Sequence, residues 1–269
     1  MREALTKNEQ GKIIYLSFPQ WEHRGDLGHG FSTRQGGVSS GPFESLNLGF
    51  KGGDDPLAVA RNRSLFLSVW GKEENQLVSG EQIHGANVFV VDHDYLNSGS
   101  RVVPSTDAFV TAEKKVLLGA YSADCQLVLF FDPFGPVIGI AHAGWRGTLQ
   151  GIVASVVEVM ESNYNSNRHH LQCLFGPCIK PCCFEIGEEV ENGAAATSWS
   201  AQVVFLPGPK RQHLDLTATN RNILTAAGVQ ESHIYASQLC TCCKPGLFYS
   251  YRRSKGGPTG SMMGIIYLA

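Results

Sequence analysis

Short apolar runs separated by Gly, Pro and Asp dominate the chain, and such runs read as strands joined by turns. They predict strands over residues 12–18, 76–79, 87–91, 108–111, 116–121, 127–131, 137–142, 173–175, 248–251 and 264–268, the last two framing a C-terminal hairpin. Helical patterns are fewer. One spans residues 56–70, opened by Asp54 and Asp55 ahead of a proline in its first turn. A second spans 148–162, with Ile152, Val156, Val157 and Met160 on one face. A third, over 215–227, is closed by Gly228, and a shorter one covers 187–194. Strands outnumber helices without alternating regularly with them. The pattern therefore predicts an α+β fold in which one domain, residues 1–269, has a β-sheet core flanked by helices.

Composition narrows the function more than the fold. Lys plus Arg number 22 against 24 for Asp plus Glu, a formal charge of −2, and no basic run stands out. A nucleic-acid partner held by phosphate contacts is therefore not expected. The opening MREALTKNEQGK carries charge where a signal peptide needs an apolar core, and the most apolar region, residues 116–144, is interrupted by Asp124 and Asp132. A cytoplasmic protein with no membrane span is the expectation. Glycine, at 30 of 269 residues, exceeds the usual ~7%, so the chain is rich in turns and close backbone approaches. Eight cysteines, among them the vicinal pairs Cys182-Cys183 and Cys242-Cys243, make a poor disulfide framework for a chain long enough to fold on its own core.

Three segments place polar, metal-competent residues at the ends of predicted strands: Gln82-Ile83-His84-Gly85, Ser122-Ala123-Asp124-Cys125, and Ala141-His142-Ala143-Gly144-Trp145-Arg146-Gly147. Two imidazoles and a thiolate are a known catalytic zinc set that leaves one position open, although the spacing of His84, Cys125 and His142 alone fits ordinary buried residues as well. In AHAGWRG the glycines permit close backbone approach, and Arg146 offers a bidentate grip on phosphate; a plain strand-to-helix turn uses the same geometry.

QIHG, TDAFVT, SADC, AHAGWRGT, FGPCIKPCCFEIGEEV and LCTCC with FYSYRR, together with GHGFSTRQGGVSSGPFESLNLGF near the start, resemble the laccase-domain family across nearly the whole chain. That family, formerly described as multicopper polyphenol oxidases, comprises zinc-dependent purine nucleoside phosphorylases with adenosine deaminase side activity. The resemblance implies one zinc ion per chain on His84, Cys125 and His142. It also implies phosphate as co-substrate and phosphorolysis of adenosine, inosine, guanosine or methylthioadenosine to free base and sugar 1-phosphate. Copper redox chemistry of the classical kind is not expected, because the nine histidines include no His-X-His pair.

Arg34 and Arg146 are candidates for phosphate or ribose contacts, and Asn47 for a ribose or base hydrogen bond. The resemblance places Cys178 and Phe184 near the nucleoside, with Phe184 available to stack on a purine. Asp124 is a candidate to orient a ligand histidine or to shuttle a proton. Gln126 stands where the family usually has Pro, and Ser261 where Arg is common; Arg252 and Arg253 are the candidates to replace a phosphate contact at position 261. Taken as one set, Cys178, Cys182 and Cys183 in a CxxxCC run followed far downstream by Cys240, Cys242 and Cys243 match no common zinc ligand pattern; four thiolates could converge, but buried or site-lining thiols are the preferred reading. A rival function is a metal-free cysteine hydrolase or deamidase built on Cys125 and His142. Monomer and homodimer both remain open.

Overall fold

A computed structural model describes residues 3–114 and 116–269, so the first two residues of the opening segment lie outside the described residues. The strands are β1 (Thr6–Gln10), β2 (Ile13–Ser17), β3 (Leu27–Ser32), β4 (Leu77–Gly80), β5 (Val88–Val90), β6 (Val102–Val103), β7 (Ala108–Thr111), β8 (Leu117–Ser122), β9 (Gln126–Asp132), β10 (Val137–Ala143), β11 (Gln172–Phe175), β12 (Phe205–Leu206), β13 (His213–Leu214), β14 (Ile234–Ala236) and β15 (Met262–Leu268). The helices are α1 (Pro19–Glu22), α2 (Pro56–Leu67), α3 (His93–Asn97), α4 (Trp145–Leu149), α5 (Ile152–Tyr164), α6 (Glu188–Ala196), α7 (Leu216–Ala226) and α8 (Tyr251–Ser254).

Two mixed sheets pack face to face. One runs β1-β2-β3-β15-β8-β4-β6 and the other β14-β11-β9-β10-β7-β5, while β12 and β13 form a small separate ribbon. Alternation along β9 shows why this arrangement follows from the sequence. Leu127, Leu129 and Phe131 join the cluster shared with Phe31, Leu118 and Ile266 of the first sheet, whereas Val128 and Phe130 join one built with Val153, Val156, Val157 and Met160 of α5 and with Ile223 and Leu224 of α7. A strand buried on both faces reads as a continuous apolar run, which is how β9 and β10 appear in the sequence. On the outer face of the first sheet, Phe66 and Leu67 of α2 cover Leu117, Met263 and Ile265. The order is thus helix, sheet, sheet, helix, and it bears out the α+β expectation.

Several boundaries were well marked. Asp55 caps α2 by accepting the Leu57 N–H, with Pro56 in the first turn, and Asp215 caps α7 through the Ala218 N–H. Two expectations need correction. The helix over 148–162 is two helices, because Gly151 adopts φ of 80° between α4 and α5, the left-handed region that glycine enters without strain. The strand over 248–251 is absent. Phe248 and Tyr249 are buried, but Ser250 caps α8 through the Arg253 N–H, and the partners of β15 are β3 and β8, so no C-terminal hairpin forms. No described helix is long and apolar enough to cross a membrane.

Burial also sets an acid limit on stability. His29 on β3 is 3% exposed, its Nε2 accepts the Phe18 N–H at 2.8 Å, and burial lowers its pKa from 6.5 to about 4. The unfolded chain takes up this proton before the folded one, so His29 contributes its full share above pH 6.5 and loses it as the pH falls toward 4. Urea unfolding of metal-stripped protein should show a decline of roughly 3 kcal/mol from this group across that interval. His29→Gln, which keeps an acceptor and cannot titrate, should flatten it. An equal slope in the variant would remove His29 as the cause.

Candidate metal centre

The centre forms at one end of the sandwich, where several strands stop or start. His142 lies near the end of β10, Cys125 immediately before β9, and His84 in the loop after β4. The turn Ala123-Asp124 leads from β8 in the first sheet to β9 in the second, which carries Cys125 into the seam between them. One donor atom from each of His84, Cys125 and His142 lies within 4.8 Å of the others, a grouping able to hold a metal ion. Cys125 Sγ is 4.0 Å from His84 Nδ1, and the two imidazole centroids are 4.8 Å apart. His142 is buried, Cys125 half-buried and His84 exposed, so the cluster opens to solvent on the His84 side.

The residue that organises the centre is Asp107, within the TDAFVT motif at the start of β7. Its carboxylate accepts the backbone N–H groups of Ile83 (3.0 Å), His84 (3.0 Å) and Gly85 (2.9 Å) and bonds His142 Nδ1 at 2.8 Å. A single buried carboxylate thereby fixes the loop bearing one histidine and the ring of the other. The His84 backbone sits at φ of 61°, an unfavourable region for a non-glycine residue, and the three amide bonds hold it there. Nothing local in TDAFVT singles out Asp107 for this role. The available signal was an acidic residue at a strand start, which is common, and its partners lie more than 20 residues away.

Asp124 does not orient a histidine. Its carboxylate accepts the Thr241 hydroxyl (2.5 Å), the Ser250 hydroxyl (2.9 Å) and the Arg252 N–H (2.7 Å), which ties the C-terminal segment beneath the Cys125 turn. The orienting carboxylate expected there is Asp107.

Charge in the cluster is strongly coupled. Burial opposes ionisation of the Cys125 thiol, but the neighbouring His142, helped by His84, outweighs burial and pulls it down to about 6. Burial likewise disfavours charge on His142, yet the Cys125 sulfur and the Asp107 carboxylate raise it to about 9. Asp107 also resists burial: its bonds to His142, Gly85 and Ile83 hold it below the usual carboxylate range. Asp124 moves the other way, raised by burial in spite of its three donors. A thiol that ionises this readily is prepared to act as a metal ligand or a nucleophile.

Glycine at position 144 completes the cradle. A Cβ there would lie 2.7 Å from His84 Nδ1 and 3.0 Å from Cys125 Sγ, so any side chain would occupy the space between the donors. The donor set and this cleared space fit a bound metal ion.

The other predicted site residues are distributed unevenly. Arg146, on α4 just beyond Gly144, is half exposed, stacks on Trp145 at 4.2 Å and pairs with the exposed Glu189 at 2.6 Å. The half-buried Phe184 lies under the Arg252 guanidinium at 5.2 Å. Arg34 donates to the carbonyls of Glu44 (2.7 Å) and Pro245 (3.1 Å) and lies over Tyr249. Asn47 is buried, donating to Asp54 and Gly49 and accepting from the amides of Gly49 and Ser261, so its amide is engaged within the fold. Cys178 is fully buried and bonds Gln126 at 3.0 Å; Gln126 Oε1 also accepts the Thr217 hydroxyl at 2.8 Å. Gln126 therefore supports a buried polar network at the start of β9. Arg252 and Arg253 spend donors on carbonyls of Cys183, Glu185, Thr241, Cys242 and Phe248.

The family described as multi-copper polyphenol oxidoreductase laccase matches residues 28–269. The chain belongs to this family. It is 36% identical over 248 residues to purine nucleoside phosphorylase YlmD of Geobacillus stearothermophilus, an alignment covering 88% of each chain. It is 33% identical over 230 residues to adenosine deaminase RL5 from an unknown prokaryotic organism, covering 83% of this chain and 87% of the relative. The crystal structure of YlmD from Geobacillus stearothermophilus superposes with a TM-score of 0.89 at 32% identity over 99% of both chains.

The hub role of Asp107 yields a direct expectation. Asp107→Asn puts an amide NH2 among backbone donors and leaves one acceptor where the native residue has two. Metal affinity, measured by competition with a chelator, should fall about 10–100-fold. Native affinity in this variant would show that the carboxylate is dispensable for arranging the donors.

Proposed function

We propose that the protein is a zinc-dependent purine nucleoside phosphorylase with adenosine deaminase side activity, acting in the cytoplasm on purine nucleosides and phosphate. The observation that carries this reading is the convergence of His84, Cys125 and His142 around the Asp107 hub, in a chain similar over most of its length to purine nucleoside phosphorylase YlmD. In the reaction the C1′–N9 bond of the nucleoside breaks, a bond forms between C1′ and a phosphate oxygen, and the purine leaves with the bonding electrons and takes a proton. In deamination water adds at C6 of adenosine and ammonia departs.

Zinc held by His84, Cys125 and His142 would supply Lewis acidity at the open fourth position. The protein's own residues do the rest. Asp107 holds both histidines in their ligand orientation. Arg146 exchanges its solvent-exposed Glu189 partner for phosphate, which requires little desolvation because that ion pair is on the surface. Phe184 offers a face for the purine, with the Arg252 guanidinium on the ring. Arg34 and Asn47 shape the loop that borders the nucleoside, Cys178 supports the start of β9, and Asp124 positions Cys125 through the turn between them.

A second reading has its own observation. Cys125, His142 and Asp107 form a nucleophile, base and orienting acid in sequence, with a depressed thiol and a raised imidazole, which is the arrangement of a cysteine hydrolase. Base release from adenosine, inosine, guanosine and methylthioadenosine, followed with and without phosphate, separates the two. Phosphate-dependent release abolished by chelation and restored by zinc supports phosphorolysis. Release that ignores phosphate, or activity that survives chelation and is blocked by thiol alkylation, overturns it.

A further inference from the structure

Outside the His84, Cys125 and His142 cluster, a second group of metal-competent residues, all of them thiols, reaches from the buried Cys240 to the exposed Cys182 and Cys243. The sulfurs of Cys182, Cys183, Cys240 and Cys243 all lie within 4.8 Å of one another. Cys183 is 3.3 Å and Cys182 3.6 Å from Cys243, and all four are free thiols. We propose that these four cysteines form a second metal site, a closed tetrathiolate that takes Zn²⁺ and serves structure rather than catalysis.

The distances favour a metal over a disulfide. Four sulfurs about 2.3 Å from a central zinc ion form a tetrahedron with edges of about 3.8 Å, whereas a disulfide requires about 2.05 Å. The two separations from Cys243, 3.3 and 3.6 Å, lie near that edge and far from a disulfide length. Two turns deliver the ligands. In the first, Lys180 O accepts the N–H groups of Cys183 and Phe184, and in the second, Cys240 and Cys243 stand in a C-x-x-C spacing, a frequent zinc-ligand arrangement. The turns are locked together by the Thr241 N–H to Cys178 O bond at 3.1 Å and by the Lys180 N–H, which donates to Cys240 Sγ at 3.4 Å. A backbone amide aimed at sulfur stabilises thiolate, and Arg253, which donates to the carbonyls of Thr241 and Cys242, adds positive charge beside the cluster. Binding would form four Zn–S bonds and release the four thiol protons to solvent, with no change of oxidation state.

Four protein ligands leave no open position, which separates this site from the three-ligand centre. Its position suggests what it secures. The two turns it joins also hold Asp124, through the Ile179 N–H to Asp124 O bond at 2.8 Å and the Thr241 hydroxyl to Asp124 Oδ1 bond at 2.5 Å. The tetrathiolate would therefore brace the turn carrying Cys125 from below. Cys242 is outside the cluster and packs half-buried against apolar neighbours, which makes it an internal control.

The test is the metal content of full-length protein prepared under reductant with zinc, read by elemental analysis and native mass spectrometry. Two zinc ions per chain are expected. Cys182→Ser combined with Cys243→Ser should retain one, His142→Ala should also retain one, and Cys242→Ser should retain two. If the double variant does not fold, stepwise zinc release from the wild-type protein by a chromogenic chelator should still show two phases. Cobalt substitution should give thiolate charge-transfer absorption that is several-fold weaker in the double variant, where only the Cys125 thiolate is left to bind. A double variant that binds as much zinc as the wild-type chain, a wild-type chain that binds none, or disulfides among these four cysteines in the reduced preparation overturns the proposal. The one-zinc difference between the wild-type chain and the double variant is read without reference to nucleoside turnover, so failure of the phosphorylase reading, which changes both counts alike, leaves it intact.

Discussion

Cys125→Ser is expected to leave the fold in place, release the metal of the three-ligand centre and lower kcat/KM for phosphate-dependent base release by at least about 10³-fold. A bound metal contributes several kcal/mol of charge stabilisation, and each 1.36 kcal/mol is tenfold in rate. Serine cannot replace the thiol as a ligand, because the surroundings that pull the Cys125 thiol down to about 6 do not bring a hydroxyl into its ionising range. Folding should survive, since the core side chains of β9 begin at Leu127 and Cys125 lies only half-buried at the strand end. The variant also separates the two functional readings. A cysteine hydrolase loses activity on this substitution too, but it has no metal to lose. Elemental analysis beside turnover therefore decides the matter, and a Cys125→Ser protein that retains both metal and activity rejects the ligand assignment.

How much of this was legible in the sequence depends on how local the cause is. The β9 and β10 runs announced themselves because burial on both faces makes every position apolar, and α2 and α7 because Asp and Pro mark their first turns within a few residues. The false strand over 248–251 arose from the same rule. Phe248 and Tyr249 are apolar because they are buried, and burial does not require a ladder. β3 escaped notice because Gly28 and His29 interrupt its apolar run; its place beside β15 is settled by pairing across more than 200 residues, which no local window contains.

The site divides along the same line. The three donors sit in motifs that could be quoted, and the structure brings them together. Asp107 was hidden in plain view, because what distinguishes it from any acidic residue at a strand start is that three amides and an imidazole converge on it from other parts of the chain. The four-thiol cluster was hidden for a related reason. Its ligands come from two turns about 60 residues apart, and only the bond network that joins those turns makes one site of them.

Gly144→Ala is the most economical test of the three-ligand centre, because it changes one methyl group and no donor. Gly144 precedes α4 with φ of −69° and ψ of 171°, extended backbone open to alanine, so the substitution introduces no conformational strain. Its entire effect is therefore steric. The new Cβ would sit 2.7 Å from His84 Nδ1, closer than real Cβ contacts allow, and a tight 3.0 Å from Cys125 Sγ, so the His84 ring must move. His84 is the one with freedom to do so, being exposed and held by its backbone amide, whereas His142 is buried and bonded to Asp107 through its ring. The expected result is a metal-stripped protein of nearly wild-type Tm, with affinity at the three-ligand centre reduced about 100-fold, the upper end of the range for disturbing the surroundings of a ligand. Chelator competition measures the affinity and thermal unfolding of the stripped proteins measures the fold. If the stripped variant is destabilised while metal affinity is unchanged, the close approach at Gly144 serves packing of α4 and not the space between the donors.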